Sequence, residues 1–249
     1  MKINSLKVLI TGGASGIGLG LCKKLDNLGA KVIVIDINEN QINKLKKKSS
    51  NIDFYCCDIT DYNSLDLCLE SIVNSQGVID VLVNNAGLMT SAPLIDLFNT
   101  KDKRHSAQLW KKTLDVNLNS AFYLTSCIVE NMINARKKGI IINMSSISAK
   151  GNAGQSAYSA AKAALEALTK VWSKELGPFG IRCAAIAPGF TNTKGTQCAL
   201  EEKKLSKWVT QTPIKRLAEI DEIVNALIFV IENDFFNGKT LQIDGGLTI

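Results

Sequence analysis

Short runs of apolar, β-branched residues recur along the chain at 8–10, 32–35, 52–57, 81–83, 140–142, 181–187 and 241–243. Each has the length of a strand. Segments of helical period separate them, marked by Leu21, Leu25 and Leu28, by Ile42 and Leu45, by Leu65, Leu69, Ile72 and Val73, and by the stretches 110–132, 157–176 and 220–231. Strands that alternate with helices pair in parallel, because a parallel connection needs a crossover of helical length. Runs apolar throughout, rather than at every second residue, are strands buried on both faces. The expectation is an α/β, doubly wound fold with a seven-stranded parallel sheet flanked by helices on both faces. The four prolines, at 93, 178, 188 and 213, fall in connections and no Gly/Ser-rich linker divides the chain, so residues 1–249 read as a single domain. Two long connections, 88–108 and 189–211, lack clear periodicity, and substrate selectivity is expected there.

Composition excludes several classes. The net charge of +6 comes mostly from scattered lysines, with one triplet at Lys46, Lys47 and Lys48 and no aromatic or arginine-rich pattern beside it, so nucleic acid is not an expected partner. No apolar run approaches the ~18 residues of a membrane span. The run at 6–10 is too short for the core of a signal peptide. Seven cysteines without a C-x-x-C pair point to reduced thiols and a cytoplasmic location. The one histidine, His105, sits among charged residues, which argues against a Ser-His-Asp hydrolase and against a zinc site; no metal is expected.

The first strand runs into Thr11-Gly12-Gly13-Ala14-Ser15-Gly16-Ile17-Gly18, and a helix follows. Glycines between strand and helix permit a tight turn that aims amides and the helix dipole at a pyrophosphate. The second strand closes on Asp36, eighteen residues after Gly18. A carboxylate there accepts hydrogen bonds from both ribose hydroxyls and repels a 2′-phosphate, so NAD is preferred, with NADP the alternative. Lys44 and Lys46, close by in sequence, weigh toward that alternative.

The spacing T-G-x-x-x-G-x-G resembles the short-chain dehydrogenase/reductase family, whose fold is a Rossmann domain, and the resemblance runs to the end of the chain. It implies that Asp58, after the third strand, binds the adenine amino group, and that Asn84-Asn85-Ala86-Gly87 steadies the sheet and flanks the cofactor. Pro188-Gly189-Phe190-Thr191-Asn192-Thr193 matches the family's P-G element, with Thr193 reaching the nicotinamide carboxamide and Phe190 bordering the ring. The cofactor residues so implied are Gly12, Ser15, Gly16, Ile17, Gly18, Asp36, Asp58, Ile59, Asn85, Ala86, Gly87, Tyr158, Lys162, Pro188, Gly189 and Thr193.

Moving a hydride to or from a secondary alcohol requires a proton donor or acceptor at the oxygen and a polar clamp on it. Tyr158 and Lys162, four residues apart, share one helix face, and the cation is expected to lower the phenol pKa. By resemblance the catalytic set is Asn117, Tyr158, Lys162 and a serine, with Asn117 holding a water that passes the proton outward. Most members place that serine thirteen residues before the tyrosine, which counts to Ser145. The strand phase favours Ser146, and a register is harder to shift than a loop length. Ser146 is therefore the expected catalytic serine. The segment 189–212 resembles the family's substrate lid, in which Trp208 either faces substrate or packs within a lid helix.

The stretches around Ser146, Tyr158 and 231–246 resemble bacterial 3-oxoacyl-[acyl-carrier-protein] reductases. This implies an acyl-thioester or other small-molecule substrate and an acidic carrier protein as partner. Of two basic positions in that group, one aligns with Lys137 and the other with Phe179. An NAD-linked alcohol dehydrogenase, and a nucleotide-binding regulatory protein without turnover, stand as alternatives. Helices 110–132 and 157–176 have small or apolar residues on more than one face, so a homodimer or homotetramer built helix to helix is expected.

Overall fold

The computed structural model describes residues 1–47, 51–199 and 202–249. Lys48 of the lysine triplet and residues 200–201 of the expected lid lie outside them. Seven parallel strands, β1 (Lys7–Thr11), β2 (Lys31–Asp36), β3 (Ile52–Cys56), β4 (Val81–Asn84), β5 (Gly139–Met144), β6 (Ile181–Pro188) and β7 (Thr240–Ile243), form one sheet in the order β3-β2-β1-β4-β5-β6-β7. β1 lies between β2 and β4, with Ile10 level with Val34 and with Val83.

Alternate strand residues feed two cores. Val8, Ile10, Val34, Val83 and Ile142 pack under α1 (Gly16–Asn27) and α9 (Ile220–Glu232) through Leu21, Leu25, Ile223 and Leu227. Leu9, Ile33, Leu82 and Ile141 pack under α3 (Tyr62–Gln76), α5 (Ser120–Asn134) and α6 (Ser156–Leu176) through Leu65, Leu69, Leu124, Ile128 and Trp172. Both faces being covered, the central strands are apolar through most of their length, as at Val8–Ile10, Val32–Ile35, Val81–Val83 and Ile140–Ile142. Helix α2 (Glu39–Lys46) is capped by Asn38, whose side chain accepts from the Gln41 amide at 3.0 Å.

Two regions depart from the sequence reading. The stretch 110–132 is not one regular helix: α4 (Ala107–Leu114) leads into a π-helical turn (Asp115–Asn119) and then α5. The wide turn holds Asn117, whose side chain donates to the Thr113 carbonyl at 2.9 Å. The connection 189–211 contains two helices, α7 (Lys194–Ala199) and α8 (Glu202–Gln211). Leu205, Trp208, Val209 and Thr212 carry the helical spacing that betrays α8, masked by the polar residues between them.

Candidate active site

The crossovers reverse direction between β1 and β4, and there a cleft of about 1560 Å³ opens along the carboxyl edge of the sheet. Its floor is the turn from β1 to α1. Gly12 has φ +66°, and a Cβ on it would sit 2.9 Å from Ala86 Cα. Gly16, Ile17 and Ser15 line the cleft; Gly18 does not. A Cβ on Gly18 would lie 2.4 Å from the Gly12 carbonyl oxygen, so this glycine closes the turn rather than meeting a ligand. Ser15 is the N-cap of α1, yet its side chain makes no capping bond and the first turn holds no acidic residue. The positive end of α1 is thus presented to the cleft as an anion site.

At one end of the cleft, Asp36 is fixed by two amides: Oδ2 accepts from Ala14 at 2.9 Å and Oδ1 from Asn38 at 2.9 Å. Each oxygen keeps a lone pair for a hydroxyl. Asp58 and Ile59 line the same end, with Asp58 Oδ1 held by the Thr60 amide at 2.9 Å and hydroxyl at 2.7 Å. Asn85 ties the end of β4 to the glycine turn, Nδ2 donating to the carbonyls of Thr11 at 2.9 Å and Gly12 at 3.1 Å, and Ala86 and Gly87 continue that wall. Beneath it Asn84 Nδ2 donates to Thr125 Oγ1 at 3.0 Å and Asn143 Oδ1 at 2.8 Å, joining β4, β5 and α5. Pro188, Gly189, Phe190 and Thr193 form the opposite wall. The Thr193 hydroxyl accepts from the Thr196 amide at 3.1 Å, and the Phe190 ring lies 5.0 Å from that of Trp208. Trp208 therefore packs α8 onto the wall. The glycine turn, the uncapped helix and the fixed carboxylate fit a nicotinamide dinucleotide.

Ser146, Tyr158 and Lys162 line the other end. Ser146 stands beside Tyr158 in this lining. Ser145 turns away, donating to Glu166 Oε1 at 2.8 Å and to the Lys162 carbonyl at 3.3 Å. The Lys162 ammonium lies 5.5 Å from the centre of the Tyr158 ring and donates to the Met144 carbonyl at 2.7 Å. Burial holds the Lys162 ammonium down to about 8. Burial pushes Tyr158 above the ordinary range, which the neighbouring Ser146 hydroxyl only partly offsets.

Asn117 lies behind Gly87 instead of lining the cleft, with Nδ2 donating to the Leu88 and Thr113 carbonyls, both at 2.9 Å, and Oδ1 accepting from the Leu88 amide at 3.2 Å. A Cβ on Gly87 would come within 3.0 Å of Asn117 Oδ1 and 3.5 Å of Lys162 Nζ, so the glycine lets the two approach. Sequence reasoning missed a brace beside this corner. The Ser148 amide donates to Ser146 Oγ at 3.1 Å, and the Ser148 hydroxyl donates to Gln155 Oε1 at 2.8 Å, just before the helix that bears Tyr158. No spacing announces it, because the contact depends on how the 147–155 turn folds. His105 contacts Trp110 and is not part of the cleft lining.

A family model described as short chain dehydrogenase matches residues 6–204. The chain belongs to that family. A 3-oxoacyl-[acyl-carrier-protein] reductase of Thermotoga maritima is 35% identical over the whole of both chains. The human 3-hydroxyacyl-CoA dehydrogenase type-2 is 32% identical over 99% of this chain and 96% of its own, and gluconate 5-dehydrogenase of Gluconobacter oxydans 30% identical over 100% and 96%. This short-chain dehydrogenase is a nicotinamide-dependent oxidoreductase acting on CH–OH groups. Among the described residues no helix is long and apolar enough to cross a membrane.

Proposed function

We propose that the protein, a single domain with 189–212 as its lid, works in the cytoplasm as an NAD-linked reductase of 3-oxoacyl thioesters. The observation that carries the reaction is the convergence of Ser146, Tyr158 and Lys162 at one end of a cleft whose other end presents a fixed Asp36. When bound, the nicotinamide supplies or accepts the hydride. The chain's residues handle the oxygen and its proton: Ser146 donates to the substrate oxygen, Tyr158 gives or takes the proton, and Lys162 favours the charged phenol and holds the cofactor ribose. Asn117 acts through its place beside Lys162, toward a proton path outward.

The amide-held carboxylate of Asp36 supports NAD over NADP, since a 2′-phosphate brought beside it meets like charge. The thioester reading draws on the relatives named for oxoacyl and hydroxyacyl substrates. A carrier protein is the proposed bearer of the acyl chain. Lys137 and Phe179 precede β5 and β6 at the amino edge, opposite the cleft of their own subunit, and Lys137 pairs with Asp80 at 3.7 Å. We further propose a homodimer or homotetramer built through the exposed faces of α5 and α6.

NADH oxidation against a panel of 3-oxoacyl thioesters and simple ketones, with Tyr158→Phe as control, tests the reaction. Thioester turnover lost in the control supports it; cofactor binding without Tyr158-dependent turnover of any substrate defeats it, and turnover of ketones alone defeats the thioester reading. Fluorescence titration should show NADH bound at least ~10-fold more tightly than NADPH, a difference of about 1.4 kcal/mol; tighter NADPH binding would remove the argument from Asp36.

A further inference from the structure

Between β4 and α4 the chain builds an arm that its own subunit leaves uncovered. Residues 94–105 fold back on themselves: Ile95 and Arg104 form an antiparallel bridge, the Asp96 amide donates to the Lys103 carbonyl at 2.7 Å, and the His105 amide donates to the Leu94 carbonyl at 2.9 Å. The turn is tied further by Asp96, Asn99 and Asp102, each accepting from the amide two residues on. Yet Leu94, Ile95, Leu97 and Phe98 are 69, 50, 74 and 96% exposed. Four large apolar side chains on one ordered excursion mark a contact surface. Lys101 and Lys103 stand exposed beside them.

The complementary chemistry lies on α5 and α6. A groove of about 570 Å³ between them is lined by Phe122, Ile133, Trp172 and Leu176, with the exposed carboxylates of Glu130 and Glu175 also on its wall. An apolar arm with two lysines matches an apolar groove with two carboxylates. Topology sets the two apart within a chain. The arm leaves the carboxyl edge after β4, whereas α5 and α6 run back to the amino edge and carry Glu130, Ile133, Glu175 and Leu176 on their last turns. A two-fold axis across these helices turns the carboxyl edge of each copy toward the amino edge of the other, and so sets each arm over the other's groove.

We propose that residues 94–104 of one copy seat Leu97 and Phe98 in the α5–α6 groove of a second copy, reciprocally, with Lys101 and Lys103 facing Glu130 and Glu175. This rests on the helix-to-helix assembly proposed above and adds the element that fixes its register. The root of the arm is bonded to the segment leading into the Tyr158 helix, the Ala92 amide donating to the Gly154 carbonyl at 2.7 Å. Assembly through the arm therefore braces the catalytic corner.

Sedimentation velocity over a dilution series tests the proposal on the full chain. The double variant Leu97→Asp with Phe98→Asp should weaken self-association at least ~10-fold, as loss of a central apolar anchor does, with unchanged far-UV circular dichroism. Reversing the carboxylates (Glu130→Lys with Glu175→Lys) should weaken it too, and adding Lys101→Glu with Lys103→Glu should restore it. A photoreactive phenylalanine analogue at position 98, in assemblies mixed from ¹⁴N- and ¹⁵N-labelled chains, should yield hybrid cross-links to peptides within 122–134 or 172–176. A monomeric wild type sinks the assembly and this inference together. An assembled wild type whose arm variant associates as tightly, or whose cross-links map elsewhere, overturns this inference alone. If the arm variant stays assembled but its KM rises for a carrier-bound thioester and not for a short pantetheine thioester, the arm belongs to the carrier protein and the proposal fails.

Discussion

Tyr158 and Lys162 stand one helical turn apart, and burial pulls both toward the uncharged form, the phenol upward and the ammonium down to about 8. The Lys162 penalty has a sign that can be tested. Unfolded, a lysine titrates near ~10.4, so below pH 8 folding buries a full charge at a cost of about 3 kcal/mol. The cost declines between pH 8 and the unfolded value and is absent above it. Lys162→Met removes the charge and leaves the Met144 carbonyl without its donor, a loss of about 1 kcal/mol. Urea denaturation should find the variant about 2 kcal/mol more stable than wild type at pH 7, the gain vanishing between about pH 9 and 10 and giving way to a loss of about 1 kcal/mol near pH ~11, with turnover abolished throughout. A variant less stable at pH 7 would show that the ammonium is well solvated. The serines offer a second contrast. Ser146→Ala should lower kcat at least ~100-fold, whereas Ser145→Ala, which frees Glu166 and leaves Ser146 beside the phenol, should change it less than ~10-fold; the reverse order in steady-state assays would transfer the role to Ser145. The pairing of Tyr158 with Lys162 was legible because four residues make one turn of helix. The Met144 anchor was not, since no sequence pattern says which carbonyl ends a strand beside which helix.

At the scale of the element, the β1–α1 turn was the most legible part, because its demand is steric and only glycine meets it. Gly18 shows how narrow the tolerance is: an added Cβ would lie 2.4 Å from the Gly12 oxygen and 2.6 Å from Asn85 Nδ2, the group that ties β4 to the turn. Gly18→Ala should cost at least ~2 kcal/mol in urea denaturation and weaken NADH binding in a fluorescence titration, although the residue does not line the cleft. Unchanged NADH affinity would mean that the turn gives way without moving its amides. The π-helical turn at Asn117 was illegible for the opposite reason. It is set by what Asn117 reaches, Leu88 from across the cleft wall, and the apolar period of 110–132 continues through it almost undisturbed. Helix α8 hid because so much of its surface is polar and a contact that docks it, Trp208 on Phe190, joins positions eighteen residues apart.

At the scale of the molecule, the alternation of runs was enough to read seven parallel strands and to place the cleft at their carboxyl edge. What closes the far side of the fold could not be read, because it joins positions fifty-two residues apart. Arg182 on β6 spans the end of α9: Nη1 donates to the carbonyls of Val230 at 3.0 Å and Phe236 at 3.1 Å, and Nη2 to that of Ile231 at 2.8 Å. A cation there meets both the unpaired carbonyls and the negative end of the helix. Asp234 bridges this guanidinium at 3.4 Å to the amino terminus of Met1 at 2.7 Å. The two partners differ in burial, with Arg182 11% exposed and Asp234 70% exposed, and that difference decides their weight. Arg182→Met leaves three carbonyls short of a donor and should cost about 2–4 kcal/mol in urea denaturation. Asp234→Asn, at a solvated pair, should cost less than ~1 kcal/mol. Arg182→Lys should recover under half of the loss, because an ammonium cannot fork to carbonyls on both sides as a guanidinium does. Equal losses for Arg182→Met and Asp234→Asn would mean that the ion pair, and not the capping of α9, holds β6 to the last helix.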